Sequence, residues 1–119
     1  MAAPRQGQKL RALIPLLQAK GRESGRPLWR DLVERLDAPR AGRAALNVGQ
    51  ISRKTKANEL AVVPGKVLSA GRLDHPVTVA ALGFSDRARE KVAAAGGRCL
   101  TLEEFAGMGE VKGVRILRG

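Results

Sequence analysis

The chain has 119 residues, 44% hydrophobic and 28% charged, a composition that supports one packed core and excludes both a disordered chain and two independent domains. Its 22 Lys and Arg against 11 Asp and Glu leave a net charge of +11, which points first to nucleic acid as partner and second to an anionic membrane surface. The single cysteine, Cys99, excludes an internal disulfide and a zinc-finger ligand set, and no apolar run approaches the roughly 20 residues of a spanning helix, so an intracellular soluble protein is expected.

Residues 1–8 read as a loose basic arm, because Pro4 and Gly7 favour no regular element. Leu10, Leu13, Ile14 and Leu17 then recur at helical spacing, predicting a helix that ends near the Gly21 to Gly25 turn. Pro15 conflicts with that pattern and predicts a kink, or a late start with Pro15 in the first turn. The second helix is better marked: Leu28, Leu32 and Leu36 form a stripe with Trp29 and Val33, Pro27 suits a first turn, and Pro39 forces a stop. Its polar face carries Arg30 and Arg35 beside Asp31 and Glu34, which suits either a self-neutralised solvated face or RNA contact.

Residues 39–58 contain five cations and no acid, interrupted by Leu46, Val48 and Ile51. The apolar interruptions predict a folded segment, with a short helix or turn over 47–54 capped by Asn47. Residues 1–58 hold 13 of the cations against 4 acids, so this half seeks the anion.

The unit over 62–97 organises the remaining chain as β-turn-β-α. A first strand from Leu60 to Val63 is expected to close at Pro64-Gly65, a short extended piece follows over 66–68, and residues 69–76 make a second reversal. Val77 to Leu82 reads as a strand buried on both faces. Ser85 caps a helix that stops at Gly96-Gly97, a short strand runs over 98–100, Thr101 and Glu104 form a capping box, and Val114 to Leu117 is the last strand. Alternating short strands and helices indicate an α/β fold: one small domain in which a basic helical region, 1–58, packs on an α/β body, 59–119.

Catalysis finds few resources. With one His, one Cys and no Tyr, the acid-base partners of an enzyme are missing; Asp74-His75 lies in a turn, and Glu103-Glu104 is explained by its capping box. Pro64-Gly65-Lys66 is not a phosphate-binding loop, since Leu60 stands where the first glycine is needed and Val67 where a hydroxyl is needed. Lys66 remains a candidate single phosphate contact. Trp29, Phe84 and Phe105 sit at core-like positions, which disfavours base stacking on exposed aromatics. Recognition of a folded polyanion by shape and phosphates fits best, ahead of a DNA-binding protein lacking an evident reading helix and a small RNA-modifying enzyme.

Several motifs in order resemble a known family: Glu34-x-Leu36-x-x-Pro39-Arg40-x-x-Arg43-Ala44-x-Leu46-Asn47-Val48-x-x-Ile51, then Val62 to Leu68, Leu73-Asp74-His75, Val77 to Ala81, and Ala95-Gly96-Gly97. They closely resemble the archaeal and eukaryotic "eighteen-e" protein of the large ribosomal subunit, a family related to bacterial large-subunit protein fifteen. Gln50, where that family tends to be basic, and Pro15 depart from the pattern. The resemblance implies a cytoplasmic, structural ribosomal protein with large-subunit rRNA and neighbouring ribosomal proteins as partners, no cofactor, no metal, no membrane and no small-molecule substrate. It also implies RNA-facing positions at Pro39, Arg40, Arg43, Asn47, Arg53, Lys54 and Lys56 and at Gly65-Lys66. Arg26, Arg30, Arg72 and His75 complete the candidate set.

Overall fold

The computed structural model describes residues 6–37, 45–108 and 114–117, with side chains described from residue 13 onward and Asp37 excepted. Ten elements follow in order: α1 (Gln6–Ser24), α2 (Pro27–Asp37), β1 (Leu46–Asn47), α3 (Val48–Lys54), β2 (Glu59–Leu68), β3 (Val77–Phe84), α4 (Asp86–Ala94), β4 (Arg98–Thr101), α5 (Leu102–Ala106) and β5 (Val114–Ile116). The strands form one sheet in the order β1-β2-β3-β4, with β5 on β2, and every pairing is parallel. A parallel sheet needs cover on both faces, and both are covered here.

Alternate residues of β2 divide between two cores. Leu60 and Val62 join Leu13, Leu17, Trp29, Leu32, Leu36 and Phe105 beneath α1, α2 and α5. Ala61 and Val63 join Leu46, Val48, Ile51, Ala88 and Val92 beneath α3 and α4. The expected α/β fold is thus a three-layer sandwich. In the first core Trp29 and Phe105 pack with ring centroids 5.1 Å apart, and Gly21 lets α1 approach α2 closely, since a Cβ there would stand 3.2 Å from that of Trp29.

α1 begins at Gln6 and runs through Pro15, so neither the loose arm over 6–8 nor the late start occurs. Pro15 faces solvent while Leu13 and Leu17 are fully buried. Burying two leucines, at about 1.5–3 kcal/mol each, offsets the lost hydrogen bond and ring clash of an interior proline.

The largest departure concerns 62–97. Pro64-Gly65 does not end a strand; β2 continues through it for ten residues. The pairing steps from Val63↔Ala81 to Lys66↔Gly83, so three residues of β2 advance against two of β3, a β-bulge. On the opposite edge of β2, β5 pairs with Leu60 to Val62 and β1 with Val67 and Leu68. Among the described residues no strand meets Pro64 on that edge, so its missing N–H costs no ladder bond.

Residues 69–76 likewise do not form a hairpin, because β2 and β3 run parallel. They return the chain along the full length of β2. This connection is a strap with bends at Gly71 and His75. It lies along α3: the Gly49 N–H donates to the Ala70 carbonyl at 3.0 Å, the Ala70 N–H to Asn47 Oδ1 at 3.1 Å, and the Asp74 N–H to Ser52 Oγ at 3.1 Å. From α4, Lys91 Nζ donates to the Ser69 carbonyl at 2.6 Å and the Gly71 carbonyl at 2.8 Å.

The later helices follow their expected signals. Ser85 Oγ accepts from the Ala88 N–H at 3.2 Å. Thr101 Oγ1 accepts from the Glu104 N–H at 3.0 Å, while Glu104 Oε1 accepts from the Thr101 N–H at 2.9 Å. Gly97 has no substitute, because a Cβ there would lie 2.2 Å from the Val77 carbonyl oxygen.

Candidate nucleic-acid interface

α3 and the strap form one cationic face. α3 ends in Arg53 and Lys54, with Lys56 just beyond, and Arg72 lies on the strap; all four side chains are exposed. Their spacing depends on a backbone-to-backbone contact. A Cβ on Gly71 would stand 2.8 Å from the Gly49 Cα, so the strap meets the first turn of α3 with no side chain between. Gly71 also takes φ +87, a conformation that L side chains rarely adopt.

Asn47, Gly65 and His75, expected at the surface of the site, are instead part of its frame. Asn47 Oδ1 holds the strap, and the Asn47 N–H donates to Gln50 Oε1 at 2.9 Å. That bond uses a glutamine where a basic side chain was the family expectation, because only an acceptor satisfies the N–H. Gly65 is buried within the bulge, although the following Lys66 is exposed. His75 Nε2 lies 3.1 Å from the Ser52 carbonyl and 3.4 Å from Thr55 Oγ1. Thr55 gives its own proton to the Ile51 carbonyl at 2.7 Å, so an Nε2–H serves the Ser52 and Thr55 oxygens, while Nδ1 lies 3.4 Å from the Pro76 carbonyl. The ring ties the strap to the C-terminal turn of α3; it is not an exposed turn residue.

Acids adjoin only part of this face. Glu59 accepts from the Lys56 backbone N–H and pairs with Arg115 at 3.3 Å. The N–H of Lys56 chiefly holds its carboxyl below the ordinary 4.5, against the opposing effect of desolvation and with further help from Arg115. Lys66 stands one residue before the Leu46↔Val67 pair, at the point where the chain enters β1. Pro39, Arg40 and Arg43 lie outside the described residues.

Arg26 and Arg30 do not join this group. They sit on the other side of the sheet, where they line a cleft of about 530 Å³ between α1 and α2 together with Arg22, which sequence reading missed. The four-residue spacing of Arg22, Arg26 and Arg30 was the available signal. Leu17, Trp29 and Val33 contribute its apolar wall, and Glu34 is its acid. Asp31, the other acid on this side of α2, is 3.2 Å from Arg35 Nε.

No reacting centre is assembled among the described residues. His75 is occupied, and no group of three or more His, Cys, Asp or Glu could hold a metal. Cys99 is half-buried in β4, where burial pushes its thiol up against a weaker opposing pull from Arg89. Phe84 is half-buried rather than core, with the Arg89 guanidinium 5.1 Å from its ring centroid.

A rigid parallel α/β sandwich with guanidinium and ammonium groups on two outer faces defines a structural, polyanion-binding class of protein. Residues 4–119 match the model of the family described as "Ribosomal protein 60S L18 and 50S L18e", and the chain belongs to that family. It is 48% identical over 90 residues to a Methanothermobacter thermautotrophicus protein named large ribosomal subunit protein eL18, covering 76% of this chain and 74% of the relative. The Sulfurisphaera tokodaii protein of the same name is 41% identical over 111 residues, covering 92% and 91%, and that of Archaeoglobus fulgidus 44% over 93 residues, covering 78% and 80%. The motif-based resemblance thus holds along nearly the whole chain, and it places the chain among structural ribosomal proteins, not enzymes.

Proposed function

We propose that this chain is a structural constituent of the large ribosomal subunit in the cytoplasm, bound to large-subunit rRNA by phosphate and shape contacts and flanked by other large-subunit proteins. The observation that carries the reading is the acid-free stretch 39–58, whose second half is folded into α3 and fastened to the strap. Such a surface presents cations on a fixed frame, which suits a folded RNA better than a flexible strand. Arg53, Lys54, Lys56, Lys66 and Arg72 meet phosphates, joined by Arg40, Arg43 and Pro39 from the preceding segment. Asn47, Gly65 and His75 hold these groups in place. Kinship with bacterial large-subunit protein fifteen belongs to the same reading and is tested by whether that protein shares the parallel strand order and the bulge in β2.

Sucrose-gradient sedimentation of a lysate from the native source is the direct test. The chain should travel with the large subunit at moderate salt; migration at the top, or with DNA, refutes the assignment. With purified protein and an rRNA fragment, Arg53→Gln with Lys54→Gln should lower the slope of log affinity against log salt by about 1.4–1.8, the effect of two lost phosphate contacts. An unchanged slope removes α3 from the interface.

A further inference from the structure

We infer, resting on the rRNA-binding reading, that this protein has two separate RNA sites on opposite faces of its sheet and ties two RNA segments together. The α3–strap face carries Arg53, Lys54 and Arg72 above the core formed by Ala61, Val63 and Ile51. The α1–α2 cleft carries Arg22, Arg26 and Arg30 above the other core, formed by Leu60, Val62 and Leu32. A parallel sheet and two helix layers separate the two cationic groups, and the thinnest dimension of the molecule is 27 Å. Charges interact through water over a Debye length of only about 8 Å at physiological salt, so each group attracts its own stretch of phosphates.

One duplex cannot lie on both faces without wrapping the molecule, whereas two duplexes, or two arms of one folded RNA, can each take one. Electrostatics favour RNA in the cleft. Three of its lining residues are arginine against one glutamate, and neither Arg22 nor Arg30 makes an ion pair among the described residues. Arginine forks suit phosphate oxygens in two-point contacts. Linking two weak sites in one rigid body makes the second binding event intramolecular whenever both RNA arms belong to the same molecule.

The test uses two 20-base-pair RNA hairpins, one fixed to a surface and one fluorescent, with full-length protein. Wild type should bind two equivalents of hairpin in solution and capture the fluorescent hairpin on the surface. R22Q/R30Q and R53Q/K54Q should each bind one equivalent, keep the wild-type thermal midpoint, and lose capture at least tenfold. A wild-type stoichiometry of one, or two variants that weaken the same single equivalent, overturns the bridge while leaving RNA binding intact. Absence of hairpin and rRNA binding in every form instead overturns the functional reading beneath it. If a polyglutamate peptide binds wild type but not R22Q/R30Q, and the hairpin stoichiometry stays at one, the cleft serves an acidic protein segment and the bridge is again overturned.

Discussion

Replacing Gly71 with alanine tests whether the strap is held by direct backbone contact with α3. The added Cβ would lie 2.8 Å from the Gly49 Cα and 3.2 Å from its nitrogen. Both are backbone atoms, so no rotamer change relieves the overlap, and forcing a methyl into such a gap costs about 1–3 kcal/mol. The φ of +87 adds about 1–3 kcal/mol for a residue with a side chain. The sum, about 2–6 kcal/mol, corresponds to a fall in melting temperature of about 8–24 °C at roughly 4 °C per kcal/mol for a domain of this size. Thermal denaturation followed by circular dichroism measures it. Gly83→Ala is the control, since a Cβ there meets nothing within 4 Å, and its melting temperature should stay within about 2 °C of the wild type. Equal shifts for the two variants, or a fall below about 3 °C for Gly71→Ala, would refute the backbone-contact argument.

Further outcomes follow from the contacts around the strap and helix caps. Lys91→Met removes the donor shared by the Ser69 and Gly71 carbonyls and should cost about 1–2 kcal/mol in urea denaturation, allowing for partial solvent access; an unchanged midpoint would show the lysine to be incidental. Folding lowers the Glu104 carboxyl below the ordinary 4.5 chiefly through the Thr101 N–H, and Glu59 is lowered likewise. Their contribution is therefore present above pH 4.5 and lost as pH falls through the folded values, so Glu59→Gln with Glu104→Gln should flatten the acid limb of a stability–pH curve. A limb of identical steepness would contradict this. Burial raises the Cys99 thiol above the ordinary 9.0, leaving under about a tenth as thiolate at pH 8; a disulfide reagent should react at least about tenfold more slowly with the native than with the urea-unfolded chain, and equal rates would contradict the burial argument.

Elements with local causes were legible in the sequence. Pro27, Ser85 and the Thr101–Glu104 pair mark helix starts through contacts made within a few residues, and each helix begins there. The path of the chain through Pro64-Gly65 was not legible. Proline and glycine favour a turn locally, yet long-range pairing with Val79 to Phe84 holds β2 extended on both sides of them. Pro15 is a similar case, decided by where Leu13 and Leu17 are buried rather than by its own preference. The cationic site was legible as a list but not as a surface. Charge counting groups Arg26 and Arg30 with Arg53 and Lys54, whereas the alternation of Leu60, Ala61, Val62 and Val63 sends the covering helices, and their arginines, to opposite sides.

The strap also bears on how quickly the protein folds. Parallel neighbours are ordinarily joined by a crossover of a dozen or more residues, but here the eight residues 69–76 join β2 to β3, and Glu59 meets Val77 18 positions along the chain. Little loop-closure entropy is lost before that ladder forms, and low sequence separation speeds folding. Strands β2 and β3 are thus placed to form the nucleus. Val79→Ala should then mainly slow refolding, while Leu32→Ala in α2 should mainly speed unfolding. Stopped-flow chevrons showing the reverse partition would put the helical hairpin first. For a chain carrying so much positive charge, rapid closure of this ladder shortens the interval in which its unfolded form is exposed to any nearby polyanion.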